Sequence, residues 1–201
     1  MPRRFILLFA ALILALAAGL SAALFFLRAP SGPTSWGTAL VGGPFSLVDQ
    51  AGARVTEKNF RGKYMLVFFG YTYCPDVCPT ELQVMMAAVE SLGAEGNKIQ
   101  PIFITVDPER DTPAVMKAYV GNFGPRLSGL TGSSAEIAAV AKAYRVYFAK
   151  AGKAETEDYL MDHSSIIYLM GPDGQFVKHF TYTTDAPKLA QALKEAITNS
   201  P

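Results

Sequence analysis

Cysteine is nearly absent from this chain: 201 residues contain two, Cys74 and Cys78, and histidine is as scarce, with only His163 and His179. Two cysteines do not make the disulfide scaffold of a small secreted protein. With two histidines, the search for a nitrogen donor is short. A dominant charge is lacking as well. The 18 basic and 17 acidic residues give a net charge of +1, and the N-terminal bases account for that excess. This balance argues against a nucleic-acid partner. There is no internal repeat, and beyond the N-terminus no apolar run long enough to span a bilayer.

The N-terminus is the exception. Phe5 to Leu27 carries no charge and is flanked by Arg3, Arg4 and Arg28. That length suits a membrane-spanning helix and exceeds the apolar region of a cleaved signal peptide, although Ala15-Leu16-Ala17 imitates a cleavage site. Either reading exports the rest of the chain, and the positive-inside bias keeps the N-terminus cytoplasmic. The expected organisation is an anchor over residues 1–28, a Pro/Ser/Gly-rich spacer over 29–43, and one domain over 44–201 on the far side of a bacterial inner membrane or its equivalent.

Within that domain, Phe45–Asp49 and Arg54–Thr56 read as a hairpin and Tyr64–Phe69 as a strand covered on both faces. From Pro79 the apolar residues Leu82, Met85, Met86 and Val89 recur at helical spacing until Gly93 and Gly96. Ile99–Val106 is a second buried strand, and Thr112-Pro113 caps a helix running to about Phe123. Leu127–Leu130 is a short strand and Ser134–Tyr144 a helix. Ile166–Met170 and Gln175–Phe180 pair across Gly171-Pro172-Asp173-Gly174, and Asp185-Ala186-Pro187 opens a last helix. The order predicts an α/β domain with helices packed on a mixed sheet.

The two cysteines lie in Tyr73-Cys74-Pro75-Asp76-Val77-Cys78-Pro79, directly after the first buried strand. A bridge across so short a loop removes little unfolded-state entropy, so a purely structural disulfide explains the pair poorly. A redox pair or a metal site remains. Pro75 and Pro79 favour a tight turn, with Cys78 at the N-terminus of the following helix, where the dipole favours a thiolate. Two ligands hold a metal poorly. His163, in Met161-Asp162-His163-Ser164 just before a strand, is the candidate third, carried on a loop that enters the sheet beside the thiols. Two thiolates and a neutral imidazole suit Cu(I) and tolerate Cu(II), whereas zinc would call for a fourth ligand. His179 and the pair Met85 and Met86 read as surface and core residues. Asp107, ending a central strand, and Asp162, beside His163, are candidates to support the ligands from behind. Asp111 and Arg110 read as turn and capping chemistry.

Tyr73-Cys74-Pro75-Asp76-Val77-Cys78-Pro79, Val106-Asp107-Pro108-Glu109-Arg110-Asp111-Thr112-Pro113 and Asp162-His163-Ser164 together resemble the Sco/SenC family over roughly residues 40 to 200. The resemblance implies a thioredoxin-like fold behind a membrane anchor, with copper bound by Cys74, Cys78 and His163. It also implies a role in assembling cytochrome c oxidase, either by delivering copper to the dinuclear centre of subunit II or by reducing that subunit's cysteines. A copper donor protein and a thiol reductant would be further partners. The alternatives are a thiol-disulfide oxidoreductase using Cys74 and Cys78 as its redox pair, and a redox or copper sensor. An ordinary thioredoxin has two residues between its cysteines rather than three, and a peroxiredoxin has Thr or Ser three residues before its cysteine, where Tyr71 and Pro75 stand here.

Overall fold

The computed structural model describes residues 13–16, 19–21, 40–151 and 159–199. It divides into two units, Met1–Ala39 and Leu40–Pro201. In the first, the described residues are helical, and most of the expected anchor and spacer lies outside the described residues. Among the described residues no helix is long and apolar enough to cross a membrane.

The second unit is built on a mixed sheet of seven strands: β1 (Ser46–Asp49), β2 (Arg54–Thr56), β3 (Tyr64–Gly70), β4 (Ile99–Thr105), β5 (Ser128–Thr131), β8 (Ile166–Met170) and β9 (Phe176–Thr181), in the order β2-β1-β5-β4-β3-β8-β9. A separate two-stranded ribbon joins β6 (Phe148–Ala151) to β7 (Leu160–His163). The helices are α1 (Val77–Ser91), α2 (Pro113–Val120), α3 (Ser134–Ala143) and α4 (Ala186–Thr198). This matches the expected helices on a mixed sheet. This unit begins at Leu40, and its Gly42 N–H bonds the Ala143 carbonyl.

β3 lies inside the sheet, next to its middle strand, parallel to β4 and antiparallel to β8. All seven of its residues are buried, as an uninterrupted apolar run predicts for a strand covered on both faces. Parallel pairing makes β3 and β4 end at the same edge. The loops leaving them, 71–76 and 106–112, are therefore neighbours, and these are the loops that carry the thiols and the aspartates.

Two local expectations are corrected. α1 begins at Val77 rather than Pro79. A proline in the first turn costs nothing, because the N–H it lacks would have no intrahelical partner. His163 sits at the end of a strand, not in a loop: it pairs with Phe148 in the ribbon.

Candidate metal centre

Cys74 and Cys78 leave the C-terminal end of β3 in a tight turn, with the Cys74 N–H bonding the Tyr71 carbonyl at 3.3 Å. Cys74 is half-buried and Cys78 fully buried, and both are free thiols. Cys78 fits because β3 ends in glycine. A Cβ on Gly70 would fall 2.7 Å from Cys78 Sγ and 2.9 Å from the Phe103 ring.

His163 arrives from the ribbon. Its Nε2 stands 3.3 Å from Cys78 Sγ, and its Nδ1 is 3.3 Å from the Ser164 carbonyl oxygen. A carbonyl only accepts, so this contact places the proton on Nδ1 and leaves the Nε2 lone pair facing the thiols, the tautomer a metal requires. Phe68 and Tyr71 hold the ring edge-on, with centroids 6.1 and 5.9 Å from it.

The three donor atoms lie within 4.8 Å of one another. Donors bound about 2.0–2.3 Å from a metal in a plane stand about 3.5–4 Å apart. Small side-chain adjustments therefore bring these three onto one ion. Two soft sulfurs and one imidazole nitrogen fit copper, and they fall one ligand short of a closed zinc site.

The thiols share one negative charge unevenly. The Cys78 thiol donates to Cys74, and this bond draws the Cys74 thiol far below its ordinary value, against the cost of burial. The Cys78 and Asp76 backbones add to the effect. Cys78 is pushed up, first by that same bond and then by burial. The helix N-terminus was expected to favour a Cys78 thiolate. It serves Cys74 instead, whose Sγ accepts the Cys78 N–H at 3.4 Å. Cys74 also opens onto a groove of about 480 Å³ lined by Thr72, Tyr73, Val115, Ala118, Tyr119 and Asn122. A larger cavity, about 690 Å³, lies between the β8–β9 hairpin and α4 and contains neither cysteine nor histidine.

The aspartates divide. Asp107 is buried. It accepts the Tyr159 hydroxyl at 2.7 Å and pairs with Arg110 at 2.5 Å, which places it behind the ribbon that carries His163. Asp162 pairs with Ala149 and is exposed. Asp111, read from the sequence as turn chemistry, is fully buried and binds the thiol loop. It accepts from the Thr72 N–H at 3.1 Å, the Thr72 hydroxyl at 2.6 Å and the Thr105 hydroxyl at 2.5 Å. The apolar character of the surrounding strands gave no signal for this. His179 is exposed against Phe176, and Met85 and Met86 are buried in α1.

The SCO1/SenC family profile matches residues 34–198. The chain belongs to the SCO1/SenC family. Among its SCO1/SenC relatives, the human mitochondrial SCO1 homologue is 47% identical over 159 residues, a stretch covering 78% of this chain and 53% of the human protein. The chain thus spans about half the length of that relative. The structure of Bradyrhizobium japonicum ScoI with copper bound is 49% identical, with a TM-score of 0.72, covering 78% of this chain and 99% of that one. Arabidopsis thaliana ScoI with copper bound is 46% identical, with a TM-score of 0.74, covering 80% and 99%.

Proposed function

We propose that this SCO1/SenC protein is a copper carrier that holds one copper ion through Cys74, Cys78 and His163. The observation that carries the reading is the convergence of these three side chains, from two separate parts of the chain, within 4.8 Å. The similarity to copper-bound ScoI structures supports it.

Copper is cargo here. Loading needs both sulfurs reduced, since a disulfide removes two of the three donors. Release proceeds by ligand exchange. A partner's soft ligand approaches Cys74 from its groove, adds to the ion, and displaces the donors in turn, with His163 able to leave on its separate ribbon. The client would be the dinuclear copper centre of cytochrome c oxidase subunit II. A copper donor would load the site, and a thiol reductant would keep it open. An N-terminal anchor over residues 1–28 and a spacer over 29–43 would tether a domain over 44–201 outside the cytoplasm.

The test is reconstitution of the reduced protein with copper, reading stoichiometry and affinity, then repetition with His163→Ala. One tightly held copper that weakens at least about a hundredfold without the imidazole is expected. Equal binding by the variant removes the reading.

The uneven thiols favour a second reading, a thiol-disulfide oxidoreductase acting on a client's cysteines. An accessible low-pKa sulfur attacks, and a buried partner resolves the mixed disulfide. Exchange with a client disulfide, measured without copper, separates the two readings.

A further inference from the structure

The ribbon carrying His163 is not laddered to the main sheet. Its position over the thiols therefore rests on side chains: Met161 is buried in the core, Phe68 and Tyr71 pack on His163, and a polar and aromatic cluster is centred on Arg110. The guanidinium lies 3.7 Å over the Tyr159 ring, at the base of β7, and 4.6 Å over the Tyr73 ring, next to Cys74. Asp107 holds it at 2.5 Å and accepts the Tyr159 hydroxyl at 2.7 Å through its other oxygen. On the ribbon's other strand, Lys150 covers the same Tyr159 ring at 4.3 Å and pairs with Glu109 at 2.7 Å.

We propose that Arg110 is the latch of the site: a positioning residue that fastens the histidine-bearing ribbon to the thiol loop, so that imidazole and sulfurs are presented together. It acts through Tyr159 on one side and Tyr73 on the other. The role needs a flat cation. A guanidinium can lie against two rings while its edge stays bonded to a carboxylate, whereas an ammonium is a compact, strongly hydrated point charge. This inference deepens the copper reading and rests on it.

The test compares the reduced full chain with Arg110→Ala, Arg110→Lys, His163→Ala and the double variant Arg110→Ala/His163→Ala. Cu(I) affinity is read by chelator competition, and amide hydrogen exchange is read without metal. Arg110→Ala is expected to weaken copper by about ten- to a hundredfold, with Arg110→Lys close behind. Adding Arg110→Ala to His163→Ala should change affinity less than about twofold, because a residue acting through the imidazole has nothing left to act on. Without metal, exchange in β6 and β7 should quicken at least about tenfold in Arg110→Ala while β3 and β4 stay unchanged.

Unchanged copper affinity in Arg110→Ala, or the same loss on top of His163→Ala, overturns the latch. So does unchanged ribbon exchange, which decides the matter even if the parent binds no copper and the carrier reading itself fails. If Arg110→Ala does not fold, Tyr159→Phe serves in its place. It removes the bond to Asp107 while keeping the ring under Arg110, and an intermediate loss of affinity and ribbon protection is expected. Parent-like values on both would overturn the latch equally.

Discussion

Cys78 Sγ and His163 Nε2 stand 3.3 Å apart across 85 residues of chain. The sulfur belongs to the first turn of α1 and the nitrogen to the end of the ribbon, so an ion held between them ties two elements that share no backbone ladder. Copper should therefore stabilise the fold as well as occupy it. At a free concentration a thousand times the dissociation constant, the gain is about 4 kcal/mol, or roughly 8–16 °C in unfolding midpoint for a domain of this size. Calorimetry with and without Cu(I) reads this directly, and His163→Ala should lose most of the increment.

The lowered Cys74 thiol predicts an unusual pH profile. Its value is drawn down to about 3, chiefly by the Cys78 thiol, so the thiolate is already present at pH 5. An ordinary thiol, near 8.5, reacts about tenfold more slowly for each pH unit below that value. Iodoacetamide labelling of the apo protein, followed by peptide mass spectrometry, should proceed at Cys74 with less than about a twofold change between pH 5 and 8. Cys78 should stay unlabelled. A tenfold rise per pH unit at Cys74 would contradict the charge assignment.

Gly70→Ala should damage the site from behind. The added methyl meets Cys78 Sγ and the Phe103 ring inside ordinary contact distance. Overpacking of this kind costs about 1–3 kcal/mol. Denaturant melts should show that loss in the parent background and a smaller one in Cys78→Ala, where the sulfur is gone. Equal losses in both would place the strain on Phe103 alone.

Asp111→Ala should loosen the thiol loop, because it strands the Thr72 and Thr105 donors. Thr105 is buried and Thr72 only half-buried, so at about 1–3 kcal/mol per buried group left unpaired a loss of at least about 1–3 kcal/mol is expected, with Asp111→Asn milder. The pH dependence carries its own sign. Burial raises the Asp111 carboxyl above the ordinary aspartate value despite its three hydrogen bonds. The native state then binds this proton more tightly than the unfolded chain, so the group's contribution falls as pH rises through that window. Asp111→Asn should remove the fall.

Much of this was legible in the residues. Continuous apolar runs marked β3 and β4, 3.6-residue spacing marked α1 and α4, and the scarcity of donors singled out Cys74, Cys78 and His163. The ribbon was not legible. Phe148–Ala151 and Leu160–His163 are four residues each, too short for alternation to outweigh noise. What settles them on the body is tertiary: Tyr159 on Asp107 and Arg110. The charge on Cys74 was equally hidden, since helix position pointed to Cys78. The bond between the two thiols, and after it the depth of Cys78 against Gly70 and Phe103, moves the charge outward. Asp111 looked like an ordinary turn residue because its partners, Thr72 and Thr105, come from two other loops and strands.

The ribbon's independence has a further consequence. A donor mounted on the main sheet could be withdrawn only by bending the core. This one sits on a lever whose strands ladder only to each other, with Ser164 and Tyr147 bonded across its base. Grip on the cargo can then be tuned by what clasps the lever, while the body that carries the sulfurs remains rigid.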